Sequence, residues 1–122
     1  MKILVVDDDE LAAEMVCTIL EACNYQTLVG ANVVEGFAHL EAHPDIGLIV
    51  SDMNMPLVSG LEFLQELRQQ QSAIPFVLLT GDSPETFLAQ APQLQYCLEK
   101  SFELADTLPR LIKKIIDGDS GS

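Results

Sequence analysis

The chain has 122 residues, 48% of them apolar, which suits one domain with a real core and excludes a disordered chain. Nineteen acidic residues against six basic ones give a formal charge of −13, so direct binding to nucleic acid or to an anionic membrane is discounted. The cysteines, Cys17, Cys23 and Cys97, are odd in number and have no CxxC spacing, which argues against a disulfide framework or thiolate metal centre and for reduced thiols in a cytoplasmic setting.

In chain order, Ile3-Leu4-Val5-Val6 predicts a short buried strand. Three aspartates follow it at once, so the N-terminus is no signal peptide, and no later stretch approaches a membrane-spanning length. Glu10 to Cys23 predicts a helix, with Leu11, Met15, Ile19 and Cys23 at helical spacing. Gln26 to Val29 is a weaker strand. Val33 to Ala42 is a helix closed by His43-Pro44. Ile46 to Val50 is a strong strand, and Ser59 to Gln70 a helix with Leu61, Leu64 and Leu67 inward. Pro75 to Leu79 is the fourth strand. Ser83-Pro84-Glu85 starts a fourth helix, expected to be short or irregular. Leu94 to Leu98 is the fifth strand, and Thr107 to Asp117 the last helix, with Pro109 tolerated in its first turn. Residues 118–122 read as a linker or tail, leaving a domain over 1–117, and Met1 reads as the start of the protein.

Five apolar strands alternating with helices predict an α/β fold: a doubly wound parallel sheet covered on both faces. Such sheets bind ligands at the carboxyl ends of their strands. Asp7, Asp8 and Asp9 follow the first strand and Asp52 the third. Thr80 and Gly81 follow the fourth, and Lys100 the fifth. Any one Asp in such a place is more often a helix cap, Thr80 alone a turn residue and Lys100 alone a solvated charge. Together they are different. Adjacent carboxylates repel, and a sequence tolerates them cheaply in water or around a cation. Several carboxylate oxygens with waters suit magnesium. A cation and an ammonium also remove the repulsion between a carboxylate nucleophile and an anionic phosphoryl donor. Thr80 is placed to hydrogen-bond a phosphoryl oxygen, and Gly81 to leave room for it.

These residues resemble the receiver domain of two-component response regulators. The likeness runs over residues 1 to about 117 and rests on ILVVDDDE at 3–10, LIVSDMNMPLVSG at 48–60, FVLLTG at 76–81 and LEKSF at 98–102. The resemblance implies the flavodoxin-like strand order 2-1-3-4-5. It implies that Asp52 takes a phosphoryl group from a sensor histidine kinase or a His-phosphotransfer protein. Mg2+, for which Mn2+ can substitute, is ligated by Asp8, Asp52 and the Asn54 carbonyl, with Asp7 in support. Lys100 pairs with the carboxylate and then with the phosphoryl group. Thr80 reports phosphorylation to a surface that contacts an output domain or protein. The domain is then a phosphoacceptor that catalyses its own phosphotransfer and dephosphorylation, not a turnover enzyme.

Departures from the family pattern concentrate on the output side. The family's Pro after the lysine, in a cis bond, is Ser101 here, so a trans bond and a displaced Lys100 are both expected possibilities. The switch aromatic, three residues before the lysine, is Cys97, with Tyr96 one place earlier on the opposite strand face. Either the strand slips by one residue or the relay from threonine to tyrosine is missing. Asn54 and Asp82 are expected to flank a hydrolytic water. His39 and His43 belong to a surface helix, Met15, Met53 and Met55 to packing, and the cysteines to small apolar filling, with Cys97 reactive if exposed. Two rivals remain. One is a degenerate receiver that only binds a partner. The other is a haloacid-dehalogenase-type phosphohydrolase with Asp7 as nucleophile and Asp9 as general acid, which leaves the Asp52–Gly60 run unexplained.

Overall fold

Ile3 to Val6 of β1 (Lys2–Val6) are all buried but alternate in facing: Ile3 and Val5 join one apolar cluster, Leu4 and Val6 another. With a side-chain period of two, one strand can do this only when helices cover both faces of its sheet. This computed structural model describes residues 1–81, 84–91 and 94–121. After β1 come α1 (Glu10–Glu21), β2 (Gln26–Gly30), α2 (Val33–Ala42), β3 (Ile46–Asp52) and α3 (Gly60–Gln69). The chain then forms β4 (Phe76–Thr80), α4 (Pro84–Gln90), β5 (Tyr96–Glu99) and α5 (Leu104–Gly121).

All strand pairings are parallel and the order is β2-β1-β3-β4-β5, the doubly wound α/β architecture expected. On one face, Ala13, Val16 and Leu20 of α1 and Leu104, Leu108 and Ile112 of α5 pack on Ile3, Val5, Val50 and Val77. On the other, α2 and α3 cover Leu4, Val6, Ile49 and Leu78. Phe63 of α3 is fully buried there, edge-on to Phe37 at 5.1 Å and to Phe76 at 5.6 Å.

Several expectations need correction. In α1 the inward stripe is Ala13, Val16 and Leu20, while Leu11 (78% exposed) and Met15 (46%) face solvent. Two apolar stripes compete on that helix, and the one that packs on the sheet beside α5 is Ala13, Val16 and Leu20. Cys23 is exposed, so it fills nothing. Helix α3 buries Leu64 and Leu67 as expected, but Phe63 takes the deepest place and Leu61 is only partly buried. Helix α5 begins at Leu104, three residues earlier than expected, and runs to Gly121, through most of the presumed tail. Helix α4 is short, with seven residues, as expected; Pro92 lies outside the described residues.

Candidate functional site

The fold brings the ends of β1, β3, β4 and β5 side by side, and one more ladder bond locks three of the residues there. The Asp7 amide donates to the Gly30 carbonyl at 3.0 Å, Met53 to Leu79 at 2.9 Å, and Lys100 to Thr80 at 2.8 Å. Val6 pairs with Ser51 in register, which sets Asp7 beside Asp52. Chain positions far apart thus become one cluster whose backbone cannot shift without breaking the sheet edge.

Asp7 and Asp52 are buried, at 4% and 7% exposure, whereas Asp8 is exposed. Lys100 bridges the buried pair: its Nζ lies 2.8 Å from Asp52 Oδ1 and 3.1 Å from Asp7 Oδ2. Asp7 Oδ1 accepts from the Asp9 amide at 2.9 Å. One oxygen from each of Asp7, Asp8 and Asp52 lies within 4.8 Å of the others. Three carboxylates against one ammonium leave a formal charge of −2, which one divalent cation cancels. The donors are all hard oxygens, two buried and one open to solvent, as suits a cation that keeps part of its water shell.

The electrostatics agree with that imbalance. Burial pushes the Asp7 carboxyl above its ordinary value; the Asp9 amide and Lys100 pull it down, the Asp52 charge adds to the rise, and the net is upward. Burial pulls the Lys100 ammonium down, yet its bonds to Asp52 and Asp7 and their charges outweigh this, and its pKa rises. A lysine shared by two carboxylates stays charged, while its two partners remain short of positive charge.

The remaining predicted residues divide between the cluster's surroundings and other roles. Thr80 is fully buried at the end of β4, one residue beyond the Asp52–Leu79 pair, and Gly81 faces open space. Asn54 is exposed in the loop after β3. Asp82 lies outside the described residues. Asp9 turns away: its carboxylate caps α1, accepting from the Leu11 and Ala12 amides at 3.0 and 3.3 Å. An Asp committed to a helix cap is poorly placed as a general acid, which removes a requirement of the phosphohydrolase reading.

All peptide bonds among the described residues are trans, Lys100–Ser101 included, and Lys100 still reaches both carboxylates. Strand β5 has not slipped. Cys97 pairs with Leu78 and packs in the α2–α3 cluster, while Tyr96 lies against the α1–α5 cluster. The position of the family's switch aromatic therefore holds a small buried thiol. Burial and the Glu85 charge push that thiol up to about 11, so it is protonated and unreactive at neutral pH.

Sequence reasoning passed over two features of the loop from Asp52 to α3. Ser59 and Glu62 form a reciprocal capping box, which the spacing Ser-x-x-Glu could have revealed. Gly60 sits so close to β3 that a Cβ would strike the Asp52 carbonyl oxygen and the Leu78 δ-methyl. No local sequence signal shows that contact.

Fold and site together define a class, and comparison with known proteins agrees: residues 3–112 match the response regulator receiver domain, and the chain belongs to that family. It is therefore a receiver domain of two-component response regulators, a signalling module of a family whose members are generally not turnover enzymes. Among similar proteins, the transcriptional regulatory protein FixJ of Bradyrhizobium diazoefficiens is 30% identical over 93% of this chain and 56% of its own length. The chemotaxis protein CheY1 of Helicobacter pylori is 26% identical over 96% of this chain and 94% of its own. The chain spans only 35% of a third relative, PhoP of Bacillus subtilis, at 35% identity over 69% of this chain. Among solved structures, Vibrio cholerae CheY4 superposes with a TM-score of 0.82 at 29% identity, covering 93% of this chain and 97% of that one. TrrA of Thermotoga maritima, solved in complex with Mg2+-BeF, superposes at 0.83 with 28% identity and the same coverage.

Proposed function

We propose that Asp52 is the phosphoacceptor of this receiver. The observation that carries this is the ammonium of Lys100 held at 2.8 Å from a buried Asp52 carboxylate, inside a cluster of three acids. In the reaction, an Asp52 oxygen forms a bond to phosphorus. The bond from phosphorus to the imidazole nitrogen of a phosphohistidine breaks, and its electron pair stays on that nitrogen. The donor is a sensor histidine kinase or a His-phosphotransfer protein.

Asp8, Asp52 and the Asn54 carbonyl would hold Mg2+, with Asp7 in support, and Mn2+ can take its place. The ion supplies charge neutralisation between the anionic nucleophile and the anionic donor. Lys100 does the same from the protein side, first on the carboxylate and then on the phosphoryl oxygens. Thr80 donates its hydroxyl to the phosphoryl group. The product bears more negative charge than the carboxylate it replaces, which biases a two-state surface read by an output domain or protein. The chain catalyses its own modification and its hydrolysis. The working unit is the receiver domain over residues 1–117, whose last helix continues to Gly121, and it acts in the cytoplasm. Among the described residues no helix is long and apolar enough to cross a membrane.

Incubation with acetyl phosphate and Mg2+, followed by intact mass, tests this. One phosphoryl group is expected, absent in Asp52→Asn and absent without the metal. An unmodified wild-type chain would instead favour a receiver that only binds a partner.

A further inference from the structure

Lys100 owes its reach to the backbone on either side of it, and only one side is the sheet. On the β5 side its amide is tied to the Thr80 carbonyl at 2.8 Å. On the other side the chain must turn from Lys100 to Leu104, the first residue of α5, which is 1% exposed in the core. Ser101 makes that turn. Its Oγ accepts from the Glu103 amide at 3.3 Å, and its carbonyl accepts from the Leu104 amide at 3.1 Å. The amides of Glu103 and Leu104, at the entry to α5, are thus both satisfied by one residue. The bond before Ser101 is trans.

We infer that Ser101 is a positioning residue for Lys100: its hydroxyl fixes the turn from which the ammonium bridges Asp7 and Asp52. This rests on the reading of Asp52 as phosphoacceptor for its kinetic consequence alone; the positioning itself has a separate readout. The hydroxyl touches neither carboxylate, so its influence passes through the backbone. A side-chain cap of this kind shifts a local equilibrium by roughly three- to tenfold, and the equilibrium constant for holding Lys100 in place should shift by up to the same factor.

The near-isosteric pair Ser101→Val and Ser101→Thr separates the hydroxyl from its bulk. In wild type, the 15N-labelled Lys100 ammonium should give an ion-paired NMR signal protected from solvent exchange. Ser101→Thr should keep that signal and the wild-type rate of phosphorylation by acetyl phosphate at saturating Mg2+. Ser101→Val should lose or broaden the signal and react more slowly, by up to roughly tenfold, with Mg2+ affinity within twofold of wild type. A Val variant with the wild-type ammonium signal overturns the inference. So does a Thr variant as impaired as the Val variant. If the ammonium signal depends on the hydroxyl while no variant, wild type included, takes up phosphate, the positioning role stands and the phosphoacceptor reading falls.

Discussion

Gly60 shows how tightly single residues are fixed around Asp52. Its amide donates to the Met53 carbonyl at 2.9 Å, closing the 53–59 loop back onto β3. Within that loop Leu57 adopts φ 71°, and the Val58 amide reaches the Pro56 carbonyl at 2.8 Å, the pattern of the rare positive-φ γ-turn. There is no room at Gly60 for even a methyl group. Gly60→Ala should therefore lower unfolding stability by about 1–3 kcal/mol in urea titration and disturb the Asp52 backbone. Unchanged stability would mean that the loop opens more readily than its hydrogen bonds indicate. Residues at strand ends, such as Asp52 and Lys100, stand out in the sequence because an apolar run stops at a charged group. That Lys100 bridges two acids 93 and 48 positions away does not stand out, since it depends on the final loop turn at Ser101.

At the scale of elements, periodicity gives existence and type more readily than facing. The helix from Glu10 carries two apolar stripes, and nothing local says that Val16 and Leu20 rather than Leu11 and Met15 meet the sheet; that is set by the tertiary cluster shared with the sheet and α5. In α3 the capping box decides where the helix begins. Ser59→Ala removes the acceptor for the Glu62 amide, bonded at 3.2 Å, and should cost about 1 kcal/mol. The measurement is a urea transition with an unchanged m-value and a lower midpoint. A midpoint equal to wild type would show that solvent satisfies that amide equally well. The expectation of a short α4 held because Pro84 and a polar sequence leave it few inward residues, and Cys97 beneath it offers little bulk to pack against.

For the molecule as a whole, the doubly wound sheet was legible because five apolar strands in alternation with helices admit few arrangements. The strand order came from the family likeness and stands in the structure. Sheet topology collects at one edge what the sequence scatters over positions 7 to 100, which is why each residue reads weakly alone and the set reads strongly. The same topology exposes an asymmetry: the acid cluster and its lysine are assembled, while Cys97 occupies the place of the switch aromatic.

The most direct measurement is to locate the phosphoryl group. An aspartyl phosphate is an acyl phosphate, and borohydride reduces it to homoserine at the modified position. Treatment with acetyl phosphate and Mg2+, borohydride trapping, proteolysis and tandem mass spectrometry should place homoserine at position 52. Homoserine at position 7, or nowhere in a chain that binds Mg2+, would contradict the account.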